Sequence, residues 1–542
     1  MKNILKRVIA FAIILVMVLS MSACGQKSTP PKTSGDTGSS SGSSDSGQSK
    51  DYSEHYVFTI ASVQVNEAVD YNGDEFSKWW QEQFNFEWNV IAMNFDNWHE
   101  KVRIWISSGD MPDITIFDYK HGEMMNYIQQ GLVYRFPDNW KERWPNVARA
   151  QELSELGDVV AEHVGGTYFL ARPNFANNKP TKKMITNMIV YLRKDWAQAV
   201  GFELKDHYTI EELLTYARLI KEKDPGNVGN RLVPIGVNAS NAFTLFVRTC
   251  STYTGPDTYF YKGKDGDYHW GLADENTLKG LKYYKKAYDE GLLHPEFYSY
   301  SGSQDIEDFY VAGVSGAMWY QGMARYMEML DANMRENLGV SFEEAVWPCF
   351  ITDDEGVFRN YPMTNFWGTI LFSPNMGTKK WERYMDMLDY SASDEGQLFI
   401  RLGFKGTDWD YDENGNIVSY LPAGTDARNK YPSIYPIYHQ LIVLSDDFSL
   451  INPNYRKEFR DKVIDLYKQR EKLSTDESAP SMDWNIYLYD SEAKNALSFD
   501  FGNDFATLVV SGEDIETAWR KWLDSYSYMI DPVLEEFRTN LK

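Results

Sequence analysis

Residues 108–118 read SGDMPDITIFD. Gly109 is a natural helix stop, Pro112 breaks the path, and residues 114–117 (ITIF) open a strand. Upstream, residues 96–107 place Trp98, Val102, Trp105 and Ile106 at the spacing of one helix face. The residues on either side repeat this alternation. Residues 56–61 (YVFTIA) read as a strand, and Thr209 with Glu212 forms a capping box before the stripe Ile210, Leu213, Leu214, Ala217 and Ile220. Leu278, Leu281, Tyr284 and Tyr288 form a helical face stopped by Gly291. Trp381, Tyr384, Met385 and Leu388 form another, and Ile515, Ala518, Trp519 and Trp522 a last one. Strands alternating with helices predict α/β layers with largely parallel sheets.

The chain start sets a compartment. Lys2, Lys6 and Arg7 precede an apolar run over residues 8–19. That run is short for a membrane span and suits a secretory signal over 1–23. Met21, Ser22, Ala23 and Cys24 resemble a bacterial lipobox, with Met21 where Leu is usual. The resemblance implies cleavage before Cys24 and a lipid on its thiol; the alternative is a plain secretion signal with an incidental cysteine. Two or more acyl chains anchor stably where one does not. Residues 25–50 hold 9 Ser and 5 Gly and neither an aromatic nor a branched aliphatic side chain. They read as a flexible tether spanning roughly 28 Å root-mean-square, so 24–51 is lipidated cysteine plus tether and folding starts near Tyr52.

The chain carries 78 acidic against 54 basic side chains, a formal charge of −24. This argues against nucleic acid as a partner, because phosphate binding needs clustered Lys and Arg. Aromatic residues make up 15% of the chain, with 17 Trp and 36 Tyr. Most belong to cores, but Trp and Tyr also stack on the C–H faces of sugars. Cys250 and Cys349 are expected to be buried thiols rather than a bridge.

Six segments resemble, in order, the extracellular solute-binding proteins of ATP-driven (ABC-type) sugar importers, the long lipoprotein members of Gram-positive bacteria in particular. They are SGDMPD (108–113), GGTYFLARP (165–173), YLRKDWAQAVG (191–201), EGLLHPEF (290–297), YSASDEGQLFIRLGFKG (390–406) and SGEDIETAW (511–519). The resemblance implies an α/β, two-lobed periplasmic-binding-protein-like fold with a hinge and an interlobe ligand cleft. Closure of such a cleft around ligand is a hinge motion. It further implies discontinuous lobes, 52–175 with 359–440 and 176–358 with 441–542. The function implied is capture of a carbohydrate, an oligosaccharide being favoured, for delivery to membrane permease subunits. A monomer on the extracellular face, held by a lipid anchor and without cofactor or catalysis, is expected.

Ligands in open sheets sit beyond the carboxyl ends of strands. Gln64 and Asn66 follow the first strand, and Asp118 and Tyr119 follow residues 114–117. Asp118 resembles a sugar-binding acid of the family, with a helix N-cap for 122–129 as its alternative. Trp319, after the turn AGVSGAMWYQG, resembles a stacking Trp, with core packing as its alternative. Trp367 precedes a strand at the return crossing. Trp98, Trp270 and Trp409 are less favoured.

Two acid-containing loops bear on metal. Residues 224–234 (DPGNVGNRLVP) match the place of a calcium loop in some relatives but keep a single carboxylate, Asp224. Residues 408–416 (DWDYDENGN) read better as a hairpin with an Asn-Gly turn. No metal site is expected. A secreted glycoside-acting enzyme would need a pair of carboxylates that no motif here places. A peptide receptor on the same two-lobed plan is the other alternative.

Overall fold

The helix Trp98–Ser108 ends at Gly109, which takes φ 76. Gly109 N–H donates to Ile106 O and Asp110 N–H to Trp105 O, the paired closing bonds of a Schellman motif. Asp113 then fixes the next turn. Its Oδ2 accepts from Thr59 N at 2.7 Å and pairs with Lys380 Nζ at 2.6 Å. The SGDMPD segment therefore joins three elements near the amino end of the strand Ile114–Phe117.

The computed structural model describes residues 50–541 apart from 64, 95–96, 174–187, 257, 301, 423–424 and 445–451. The leader, Cys24, most of the tether and Gln64 lie outside the described residues.

Strands are numbered along the chain: β1 Tyr56–Val63, β2 Phe86–Met93, β3 Ile114–Phe117, β4 Phe169–Pro173, β5 Met188–Arg193, β6 His207–Thr209, β7 Phe260–Lys262, β8 Tyr268–Trp270, β9 Ala317–Gln321, β10 Val346–Thr352 and β11 Phe366–Phe372. The first sheet has the order β2-β1-β3-β11-β4 and the second β6-β10-β5-β9. The chain thus leaves the first sheet after Pro173, enters the second at Met188, and is back in the first by Phe366.

Pairing in the first sheet is half parallel and half antiparallel, and in the second mostly antiparallel. β2, β1, β3 and β4 share one direction, and β11 runs against both of its neighbours. In the second sheet β5 runs against β9 and β10, and only β6 with β10 is parallel. The expectation of largely parallel sheets is corrected here. β5 and β11 are the strands that arrive from the other sheet. Each starts at the edge where the other strands of its sheet end.

One core surrounds the first sheet and runs to Val443. The second sheet has a core on each face, as strand alternation dictates. Val190, Leu192, Trp319 and Ile351 point to one, and Ile189, Tyr191, Met318 and Phe350 to the other. The helix Ile210–Lys223 carries the expected capping box and the helix Ile515–Asn540 the expected stripe. Cys250 and Cys349 are buried and unbridged.

Candidate functional site

Four strands of the first sheet end at one edge, at Val63, Met93, Phe117 and Pro173, and β11 begins there. Ligands gather beyond such an edge.

β11 enters through a bulge. Its register against β4 shifts between Phe366 and Thr369, and Gly368 takes φ 68. A Cβ at Gly368 would stand 3.2 Å from Ile116 Cγ2 and 3.3 Å from Phe117 O, so both the backbone angle and the space favour glycine. Such bulges re-aim a side chain. Trp367 is left 37% exposed while the rest of the strand, from Gly368 on, is buried. Its ring lies 5.4 Å from that of Trp98, which is buried and donates through Nε1 to Ile116 O at 2.8 Å. His99 packs on Trp98 at 4.5 Å and brings Nε2 to 3.4 Å from Asp118 Oδ2. The Arg172 guanidinium carbon sits 5.2 Å from the Trp367 centroid, within cation–π range.

The predicted residues divide as follows. Asp118 and Trp367 are linked through His99 and Trp98 into one ribbon along the edge. The N-cap alternative for Asp118 is not realised, since Lys120 holds that place before the helix His121–Gln129. Asn66 is exposed after β1. Its N–H donates to the Tyr71 hydroxyl and its Oδ1 accepts from Ala68 N, closing a turn. Tyr119 is buried, its hydroxyl 2.6 Å from His121 Nδ1 and its ring between Phe169 and Tyr487. Burial drives its phenol well up and pushes His121 down to about 4. Trp319 takes the core-packing alternative. It is 7% exposed within the second sheet's core, so its ring has little free face.

Arg172, His439, Tyr435 and Arg428 were not anticipated. Arg172 donates to His439 O at 2.6 Å and to Trp367 O at 3.4 Å. The Tyr435 ring lies 5.8 Å from His439, and Arg428 stands 5.6 Å from Tyr435. Arg172 is the last residue but one of GGTYFLARP, at a strand's carboxyl end, so the rule that selected Asp118 selects it too. His439 and Tyr435 lie in a loop with no periodicity to flag them.

The Asp224 carboxylate accepts from Val228 N and Gly229 N at 2.9 and 2.8 Å. It thereby closes its own loop. Residues 408–416 form a hairpin in which Asp412 accepts from the Asn414 and Asn416 amides. Among the described residues no group of three or more His, Cys, Asp or Glu is arranged to hold a metal.

The model of the family described as bacterial extracellular solute-binding protein matches residues 63–340, just over half of the chain. The chain belongs to this family. The solute-binding protein is 20% identical over 443 residues to Lipoprotein LipO of Bacillus subtilis, covering 79% of this chain and 82% of the relative. It is 23% identical over 228 residues to a fructooligosaccharide ABC transporter substrate-binding protein, FusA, of Streptococcus pneumoniae, covering 41% of each. Among solved structures it is similar to alginate-binding protein AlgQ2 without calcium ion, with TM-score 0.64, 17% identity, and 89% of this chain against 97% of that one. It is also similar to FusA in complex with kestose, with TM-score 0.62, 15% identity, and 90% against 100%. The structural likenesses establish the two-lobed α/β fold of the solute-binding protein. Trp367 lies at the edge where four strands of the first sheet end.

Proposed function

We propose that this solute-binding protein captures a carbohydrate, an oligosaccharide rather than a monosaccharide, between its lobes and hands it to the membrane permease of an ABC importer. The observation that carries this reading is the exposed Trp367 ring, propped by buried Trp98 and joined through it and His99 to the Asp118 carboxylate. A flat apolar face beside a carboxylate that accepts hydroxyl hydrogen bonds suits a sugar ring. Relatives named for fructooligosaccharide transport support it. Gln64, Asn66, Asp118, Tyr119, Trp319 and Trp367 are the proposed contacts, with Trp367 and Asp118 foremost. Burial limits Tyr119 and Trp319 to an edge at most. The lipobox-like run at Cys24 supports a lipid-anchored, monomeric protein on the extracellular face, and LipO is itself named a lipoprotein. The protein is a carrier without catalysis.

Thermal unfolding of the full chain against mono-, oligosaccharides and peptides tests this. A ligand of the native state adds about 2.7 kcal/mol at a hundred times its Kd. A rise in Tm with one glycan class is expected; a rise with peptides alone would overturn the sugar reading.

A further inference from the structure

Residues 484–499 touch the cores of both sheets. Ile486 is buried in the second sheet's core, and Tyr489, Ala493, Leu497 and Phe499 pack against it. Trp484, Tyr487 and Leu488 pack instead against the core of the first sheet. The segment is stiff in itself. Lys494 Nζ donates to the carbonyls of Ile486, Tyr487 and Tyr489 at 2.9, 2.7 and 3.0 Å. The Tyr489 hydroxyl accepts from Asn540 Nδ2 at 2.7 Å, at the end of the helix Ile515–Asn540. Trp519, Trp522 and Phe537 of that helix belong to the second sheet's core. The segment is thus rooted on the second sheet's side and reaches across to the first.

Its polar and ring contacts on the first side are separable. Trp484 Nε1 donates to Glu155 Oε2 at 3.0 Å. The Tyr487 ring lies 6.4 Å from that of Tyr119, at an interplanar angle of 21°. The Asn495 carboxamide fills the space that a Cβ on Gly122 would take. Tyr119 and Gly122 follow the carboxyl end of β3. Glu155 is two residues beyond Leu153, whose carbonyl accepts from Asn365 Nδ2 at 2.6 Å just before β11. The contacts gather where the chain leaves β3 and enters β11. Glu155 is also strained. It takes φ 59 and ψ −34, and around it Leu156 N–H donates to Ser154 O at 2.6 Å. A three-residue turn of this hand is rare at a residue with a Cβ and persists only where its surroundings hold it.

We propose that residues 484–495 are an intramolecular latch. Rooted on the second sheet's body, they catch Glu155, Tyr119 and Gly122 on the first sheet's body and hold the two bodies together, each moving as a unit with its own sheet. Every partner belongs to the chain, so the latch acts whatever solute is carried. Contacts this few leave a hinge motion accessible. They also keep the approached arrangement populated, which raises apparent affinity in proportion to that population.

The test is small-angle scattering and hydrogen exchange on the full chain without added glycan. Trp484→Phe keeps a ring and removes the donor. It should enlarge the radius of gyration and speed exchange over residues 153–156 and 484–488 about tenfold, as loss of a hydrogen bond to a carboxylate implies. A Cβ at Gly122 would stand 2.6 Å from Asn495 Cγ, so Gly122→Cys with Asn495→Cys brings two Cβ atoms within about 4 Å, the range of a disulfide. Oxidation should close that bond in the native chain and return the Trp484→Phe chain to the native radius until it is reduced. Glu155→Gly, which removes the acceptor and relieves the backbone, gives the same enlarged radius should Trp484→Phe fail to fold. Radius and exchange unchanged in both variants would overturn the latch and make the segment a fixed part of the packing. Failure of the two cysteines to pair in the folded chain, or an enlarged radius that their bond does not reverse, would overturn it as well. None of these outcomes bears on sugar capture.

Discussion

Trp98 and Trp367 hold their ring centroids 5.4 Å apart at an interplanar angle of 30°, the first ring 3% and the second 37% exposed. The buried indole is fixed by its bond to Ile116 O, so the exposed one is presented on a rigid support. A platform fixed before binding costs less ordering on association than a free side chain. Among tryptophans that the sequence ranked, this pair is the one the fold places at the strand-end edge of the first sheet.

Trp319 gives the contrasting expectation. Its ring is enclosed by the second sheet's core, so Trp319→Ala should cost about 3–5 kcal/mol of stability through the cavity it leaves. Urea unfolding checks this. A change under 1 kcal/mol with lost ligand binding would instead make Trp319 a contact residue.

Asp113 belongs to the most conspicuous motif but should be silent in binding. It sits at the amino end of β3, about 13 Å of strand from the ligand edge, and holds Thr59 N and Lys380. Asp113→Ala leaves both without their acceptor and should lower stability by about 2–4 kcal/mol with ligand affinity unchanged. Denaturant melts with paired titrations would show the split. A loss of affinity in the folded variant would contradict it.

Much of this architecture was legible because it rests on local chemistry. Gly109, the Thr209–Glu212 box and the stripe ending at Trp522 each encode an element within a few residues. The direction of β5 and β11 was not legible, because it depends on which sheet the chain comes from. The bulge at Gly368 was also hidden, since a lone glycine in a strand does not say which way its neighbour turns. Asp118 followed from the strand-end rule. Arg172 obeys the same rule, but an arginine at a strand end is also an ordinary solvent-facing residue, so its type alone does not single it out.

Acid response should show two opposing slopes. Burial lowers His121 from 6.5 to about 4, so its contribution is full above pH 6.5 and is lost as pH falls toward 4. Asp274, half-buried beneath the Tyr261 hydroxyl, is raised by desolvation from 3.8 to about 6. Its contribution is full below pH 3.8 and is lost as pH rises through 6. Between pH 4 and 6 the two offset each other. Asp274→Asn removes one side, so the variant should lose more stability than the native chain between pH 7 and 4.5. Equal losses in urea melts would contradict this.

The two internal thiols should be inert. Cys250 and Cys349 are buried, and burial pushes Cys250 up to about 12 and Cys349 higher still. The thiolate is the reactive form. Peptide-resolved maleimide labelling at pH 8 should leave both unmodified in the native chain and modify both in urea. Rapid native labelling of either would place it at a surface.

Sugar capture at this edge is tested most directly by titration calorimetry of native and Trp367→Ala chains with the glycan that gives the largest thermal shift. Loss of the exposed ring should weaken binding by ~2 kcal/mol, roughly thirtyfold, while unfolding stability changes by less than about 1 kcal/mol. Equal affinity in the two chains would contradict a ligand stacked on Trp367.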